Sequence, residues 1–426
     1  METVALFGIF LSLIIFNVPI AIALATAAII ILFLTSDFTL YMIAQRMFAA
    51  LLSPPLLAIP AFVFAGVVMS HGGISKYLIE ALRAWIGHRR GGFAVVTIVA
   101  CAIFAAISGS SPATAAAIGS IMLPAMIESG YPKRYSMGLI AAAGTLGILI
   151  PPSVTMVIFG IVSEYSIGEL FAAGMIPGII LACILVVSAI IYAYRLNMPR
   201  MAKATWPVRW KATYKALPGM FLPFFILGSI YSGIVTPTEA AVLSVYYTLI
   251  ISAFIYRELK WRNIRPIFVE SINISSMIYL IIAAAMLFSL FLTANQVPQR
   301  VLYAITAANI NKWMFFLVTQ IMFFVMGTFL EAVSITLITL PVLLPIIKAL
   351  DIPLVQFCVV MTINMELAMI TPPVGLNLFV VSAMAREKLE EVVKGVWPFI
   401  IIMIGAMILF VVWPDLSTWL PARMRL

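Results

Sequence analysis

Two pairs of adjacent prolines, Pro151-Pro152 and Pro372-Pro373, each interrupt a long apolar run. The first pair follows Gly144-Thr145-Leu146-Gly147-Ile148-Leu149-Ile150 and precedes Ser153. The second follows Asn364-Met365-Glu366-Leu367-Ala368-Met369-Ile370-Thr371. Consecutive prolines remove two backbone donors, and their rings clash with the preceding turn, so a helix opens there. In hydrocarbon the freed carbonyls need partners, because each one left alone is costly. A small cation such as Na+ is one such partner. The N–H groups where the helix restarts suit an anion such as a carboxylate. One broken helix therefore offers places for a coupling cation and an organic acid side by side. A lone Pro-Pro reads as a packed kink. Two in register, each beside a small-residue loop, read as a binding site.

Two carboxyls lie deep in apolar sequence, Glu331 and Glu366, and an intramembrane acid is a functional candidate. Glu331 follows Gly327-Thr328 in a short loop, where it is placed to meet substrate or a cation site. Glu366 either shares in that chemistry or pairs with a neighbouring helix. Glu239, in Thr236-Pro237-Thr238-Glu239, reads as a helix cap. His71 and His88 fall at segment edges, which favours Na+ over a proton as the coupling ion. There is no nucleotide-binding loop, metal-ligand cluster or catalytic triad. The chain reads as no enzyme, with no cofactor beyond Na+ as coupling ion.

The elements that hold these groups are membrane helices. Hydrophobic residues make up 64% of the 426 and charged residues 10%, against about 25% charged in soluble domains. The net charge of +9 reads as basic cytoplasmic loops rather than nucleic-acid binding. Met1-Glu2 gives no basic leader, so no cleavable signal is expected. Cys101, Cys183 and Cys358 are scattered and odd in number; they read as small buried hydrophobes.

Pro124, Pro132, Pro151, Pro152 and Pro177 each have a proline 221 positions later, at Pro345, Pro353, Pro372, Pro373 and Pro398, and Gly174 matches Gly395. These are all the prolines in both windows, so the chain is a duplicated unit. Two pairs of segments, 93–107 with 113–128 and 313–329 with 332–349, are short and separated by small or polar tips. The first tip is Ser108-Gly109-Ser110-Ser111-Pro112; the second runs from Gly327 to Glu331. Such pairs read as re-entrant hairpins. His88-Arg89-Arg90 and Lys133-Arg134 flank the first with basic charge, whereas Asn309–Lys312 and Lys348–Asp351 leave the second nearly neutral. The halves then have opposite orientations, an inverted-topology repeat with both termini periplasmic. The basic tail residues Arg423 and Arg425 fit that side poorly. Lys76–His88 and Gln299–Lys312 read as matched amphipathic arms.

These motifs together resemble the large membrane subunit of tripartite ATP-independent periplasmic (TRAP) transporters, the DctM-like family. The resemblance rests on Ser108 to Thr114, Gly147 to Ser153, Gly327 to Glu331, and Thr371-Pro372-Pro373 to Asn377, and covers essentially the whole chain. It implies an all-α polytopic protein of the bacterial inner membrane, with a scaffold and an elevator-type transport domain. Residues 1–92 would be the first scaffold helices and arm, and 93–194 the first half of the transport domain. Residues 195–312 would be the second scaffold part and 313–413 the second transport half, with 414–426 a tail. It implies Na+-coupled uptake of an organic acid, of sialic acid or C4-dicarboxylate type. The partners would be a separate small four-helix membrane subunit and a periplasmic substrate-binding protein. One cation site would use Ser108, Ser111, Gly147, Ile150 and Pro152; a second would use Gly327, Thr371 and Gly375. Substrate would meet Ser110, Thr155, Glu331 and Asn377. Glu331 stands where many members have Asp, which bears on substrate identity. The alternative is a stand-alone ion-coupled carboxylate transporter of related two-hairpin architecture, working without a binding protein.

Overall fold

A computed structural model describes residues 2–16, 18–35 and 38–424, and every regular element among them is helical. Arg425 lies outside the described residues. The first half runs α1 (Glu2–Ile15), α2 (Ile20–Thr35), α3 (Leu40–Ala50), α4 (Ala58–His71), α5 (Ile74–Ile86), α6 (Gly92–Ser108), α7 (Ser111–Glu128), α8 (Lys133–Thr145), α9 (Val154–Ser163) and α10 (Ile167–Arg195). The second runs α11 (Trp206–Tyr231), α12 (Pro237–Ile250), α13 (Trp261–Ala294), α14 (Val297–Ala307), α15 (Lys312–Gly327), α16 (Ala332–Ala349), α17 (Leu354–Met369), α18 (Leu376–Ala385) and α19 (Leu389–Val412). A tail helix, α20 (Asp415–Met424), follows. Among the described residues, seven helical stretches are long and apolar enough to cross a bilayer.

The offset of 221 now relates whole elements. Helix α7 starts at Ser111 and α16 at Ala332, a difference of 332 − 111 = 221, and α8 with α17, and α10 with α19, keep that register to within a residue. Where the halves differ, proline explains it. Pro54 and Pro55 interrupt the path between α3 and α4; the matching residues are Ser275 and Ser276, and α13 runs unbroken through them.

The halves are antiparallel. Lys133 Nζ pairs with Glu387 at 2.6 Å, and Arg134 pairs with Glu391. The start of the first broken helix thus meets the end of the second. At the far end, Gln356 near the start of α17 donates to the carbonyls of Phe410 and Val411 at the end of α19, at 3.1 and 3.0 Å.

The helices fall into two groups that also meet, at α5 against α6 and at α13 against α16. In one, α2 lies on α13, α12 on α4, and α11 on α5. In the other, α6 to α10 and α15 to α19 interlock: α9 packs against α16, and α18 against α7. Each half therefore lends its short restarted helix to the other half's hairpin. Helices α8 and α19 approach to backbone contact, since a Cβ on Gly138 would lie 2.0 Å from the Gly395 carbonyl oxygen. Phe357 of α17 meets Phe315, Phe316 and Phe323 of α15 at centroid distances of 6.0, 6.2 and 5.9 Å. Such ring pairs each add about 0.5–1.5 kcal/mol beyond their burial.

Several expectations resolve here. Glu239 forms the reciprocal cap with Thr236: its backbone N–H donates to the Thr236 hydroxyl at 3.3 Å, and its carboxylate accepts from the Thr236 N–H at 2.8 Å. Cys101 and Cys358 are buried, but Cys183 is exposed on α10. The outer face of a membrane helix meets lipid, so an apolar neighbourhood in sequence does not imply protein burial. The arms α5 and α14 both form as helices, but unequally. Helix α5 buries a face that includes Ile74, Leu78 and Ile79, whereas α14 buries only Pro298.

Candidate functional site

The first tip closes on the first break. Gly109 ends α6 at φ +60°, a left-handed geometry that favours glycine, and a Cβ there would lie 2.8 Å from the Pro152 carbonyl oxygen. Its own carbonyl accepts from Val154 N at 3.4 Å. Ser108 Oγ and Thr114 Oγ1 lie 2.9 Å apart, and Thr114 donates to the Ser110 carbonyl at 2.8 Å. From the other side Gly147 presses in, so that a Cβ would lie 2.5 Å from that same Ser110 oxygen. Ser153 spans the gap by donating to Ile148 O at 2.6 Å and accepting from Met156 N at 3.4 Å. The Pro151–Pro152 and Pro372–Pro373 peptide bonds are both cis.

Ser108, Gly147 and Pro152, expected as cation ligands, are thus brought to one place, with hydroxyl and carbonyl oxygens and no cationic side chain among them. That donor set suits a hard monovalent cation. Ser111 is adjacent and buried. The Ile150 side chain packs toward Gly178, where a Cβ would meet it at 2.6 Å, leaving its backbone to the break. Thr114 and Ser153 belong to this cluster and were not expected.

The second tip meets the second break in the same manner but with different residues. A Cβ on Gly327 would lie 2.4 Å from Cβ of Ala368, which is the counterpart of Gly147 (368 − 147 = 221). Thr371 donates its hydroxyl to Leu367 O at 2.7 Å, leaving lone pairs for a cation. Gly375, at φ +51°, sits so close that a Cβ would lie 2.9 Å from the Thr371 carbonyl oxygen. Glu331 takes the N-cap position of α16, yet its side chain caps nothing, and its buried Oε1 has no partner.

A cavity of about 360 Å³ joins the two tips. Ser110, Ser111, Thr155 and Glu331 line it, with Val63 of α4 and Glu270, Ile274 and Met277 of α13 forming the facing wall. Ser110, Thr155 and Glu331 were expected as substrate contacts, and all three border this space. A second cavity of about 760 Å³ lies along the second tip, between Gly327–Glu331 and the α1–α2 junction, so Glu331 borders both. A third, of about 660 Å³, opens between 53–55, 164–168 and 236–239 and touches neither tip.

Asn377 is placed otherwise. It does not line the 360 Å³ cavity. It is fully buried, and its amide donates to Ser111 Oγ at 2.8 Å and to the Ala141 carbonyl at 3.0 Å, tying the second break to the first tip. Glu366 is also fully buried, and neither carboxylate oxygen has a partner, so the ion pair with a neighbouring helix does not form. Asn364 instead makes the interhelical link, donating to Gln320 O at 2.9 Å.

Glu270 was not anticipated. Its signal was present in the sequence, as an acid inside the apolar run 267–294, the same signal that singled out Glu331. Its Oε2 lies 4.0 Å from Nε2 of His71.

Comparison with known proteins agrees with this geometry. Residues 7–416 match the family described as tripartite ATP-independent periplasmic transporter, DctM component. The chain is 38% identical to the C4-dicarboxylate TRAP transporter large permease protein DctM of Rhodobacter capsulatus, over 99% of both chains. It is 42% identical to the protein of the same name from Pseudomonas aeruginosa, over 86% of each. Among solved structures, the YdaH transporter of Alcanivorax borkumensis shares the fold, with a TM-score of 0.62 at 13% identity, covering 89% of this chain and 90% of that one.

Proposed function

The chain belongs to the family of the DctM component of tripartite ATP-independent periplasmic transporters, and from that premise we propose that it carries an organic acid across the bacterial inner membrane in step with Na+. The observation that carries this reading is the shared cavity. Two helix tips, one from each antiparallel half, border one space of about 360 Å³, and each tip abuts a broken helix whose oxygens suit a small cation. Cation and acid then bind as neighbours, and each offsets the other's charge in a site where water screens little.

Ser108, Ser110, Thr114, Gly147 and Pro152 would hold one Na+, and Gly327, Thr371 and Gly375 a second. Ser110, Ser111, Thr155 and Glu331 would receive the acid. A C4-dicarboxylate is the substrate class carried over from the two relatives; a sialic acid finds no such support. The facing wall, from α4 and α13, belongs to the other packing group. Movement of the α6–α10 and α15–α19 group past that wall would carry the cavity from one side to the other, an elevator motion. A small membrane subunit and a periplasmic substrate-binding protein would be the other two parties of the tripartite system.

Proteoliposomes holding this chain with its small subunit, supplied with binding protein and labelled succinate, test the reading. Uptake should follow an inward Na+ gradient and stop when K+ replaces Na+. Succinate uptake indifferent to Na+ would overturn the coupling. Na+-dependent uptake of another acid alone would overturn only the substrate class.

A further inference from the structure

The basic linker between the two halves folds back on one spot. Met201 N donates to Gly87 O at 3.4 Å, which lays the 196–205 linker on the turn between α5 and α6. Helix α11 then starts at Trp206 and packs along α5. Trp85 stands between them. Its indole N–H donates to Thr213 at 2.8 Å, and Trp206 and Trp210 meet its ring edge-on at 5.7 and 5.9 Å. The Arg209 guanidinium lies over the Trp85 and Trp206 rings at 5.4 and 5.5 Å.

Arg209 is only 6% exposed, and its Nε and Nη2 are buried without a hydrogen-bond partner. Ring faces attract the charge but offer the N–H edges no acceptor. None of the ion pairs among the described residues includes it. A buried cation in that condition is costly unless an anion joins it. His88, on the same turn, has Nδ1 buried and unpartnered. Burial, then the charges of Arg209, Lys203 and Arg89, hold its pKa below the usual value, so three cations bear on this spot. The first turn of α11 adds the amides of Trp206 and Val208, which Thr205 at the N-cap does not satisfy through its side chain, while Pro207 has none to give. Arg209 and the amides can only donate, and His88 donates through Nδ1 in its Nδ1–H tautomer.

We propose that Arg209, His88 and the first turn of α11 bind the phosphate of an anionic phospholipid headgroup. Free phosphate would satisfy the same donors, but the surroundings are those of a lipid. Trp206 and Trp210 are 61% and 60% exposed at the end of a span, as tryptophans are at a bilayer interface. Leu217 and Phe221, further along α11, are exposed to take acyl chains. The headgroup would pin α5 to α11 at the membrane surface.

The test uses the purified full-length chain in detergent, with native mass spectrometry and thermal shift. Phosphatidylglycerol should stay bound and raise the melting temperature, while phosphatidylcholine and inorganic phosphate should do neither. Arg209→Gln should weaken phosphatidylglycerol roughly fivefold, as the loss of one headgroup-facing charge implies. Should Arg209→Gln misfold, the exposed Lys203→Ala decides, with the same expected direction. Equal stabilisation by phosphatidylcholine, or retention of phosphatidylglycerol by the folded variants, would overturn the site. Equal protection by inorganic phosphate would overturn its assignment to lipid. Displacement of phosphatidylglycerol by the small subunit would show a partner's acidic group as the true acceptor.

Discussion

Replacing Gly147 with alanine puts one methyl group between the first break and the first tip. The new Cβ would lie 2.5 Å from the Ser110 carbonyl oxygen and 2.8 Å from Thr114 Oγ1. Ordinary contact begins at 3.4 Å, so the two must part by 3.4 − 2.5 = 0.9 Å. The Ser110 oxygen cannot yield alone, because it accepts from Thr114 Oγ1 at 2.8 Å and from Thr114 N at 3.1 Å. The whole tip must retreat from the break. Over-packing of this kind costs about 1–3 kcal/mol. If the cation needs both sides of the gap, that cost falls on its binding, a loss of roughly 5- to 140-fold in Na+ affinity. The assay is the Na+ concentration for half-maximal uptake in proteoliposomes, with thermal stability in Na+-free buffer as the control for folding. A folded Gly147→Ala protein with the wild-type Na+ dependence would refute the placing of a cation between tip and break.

Three further outcomes follow from other contacts. A carboxyl meets a carboxylate only as a protonated O–H donor, so Glu331→Leu, which removes the donor, should lower substrate kcat/KM by about 10- to 100-fold, while Na+-dependent stabilisation of the purified protein persists; unchanged uptake would remove Glu331 from the substrate site. Asn377→Leu breaks the tie between the second break and the first tip and should cost about 1–3 kcal/mol of stability. Ser111→Ala should not add its full effect to Asn377→Leu in denaturation of the double variant. The Lys76–Glu258 pair, at 3.2 Å, pins α5, and the Lys76 hydrogen bond holds the Glu258 carboxyl below its usual pKa. Its stabilising contribution is whole above the unfolded carboxylate value and disappears as pH falls through the lowered folded one. The melting-temperature gap between wild type and Glu258→Gln should therefore close below about pH 4.

Chain-local chemistry was the legible part of this protein. Proline acts on its own helix, so Pro151-Pro152 and Pro372-Pro373 marked both breaks, and the offset of 221 carried over to whole helices. Charge near the membrane surface foretold that the halves oppose each other, and the Lys133–Glu387 pair bears this out. What sequence hid was which distant elements meet. Asn377 was placed with the substrate by the resemblance alone, and 266 positions separate it from the Ser111 hydroxyl to which its amide donates. Glu366 and Glu331 carry the same sequence signal, but Glu331 borders the cavity between the tips whereas Glu366 is fully buried away from it. Glu270 carries it too, and faces that same cavity from the opposite packing group. Cys183 shows the converse limit: apolar surroundings along the chain do not distinguish a protein core from lipid.

In the proposed cycle the cavity between the tips holds the acid while the breaks hold the cation. An experimental density map of the assembled permease, prepared in Na+ with saturating transported acid, measures it most directly. An ion peak is expected among the oxygens of Ser108, Ser110, Thr114 and Pro152, with the acid beside it against Ser110, Thr155 and Glu331. An acid lodged in the cavity between 53–55, 164–168 and 236–239, or a transported acid bound with no ion at either break, would contradict it.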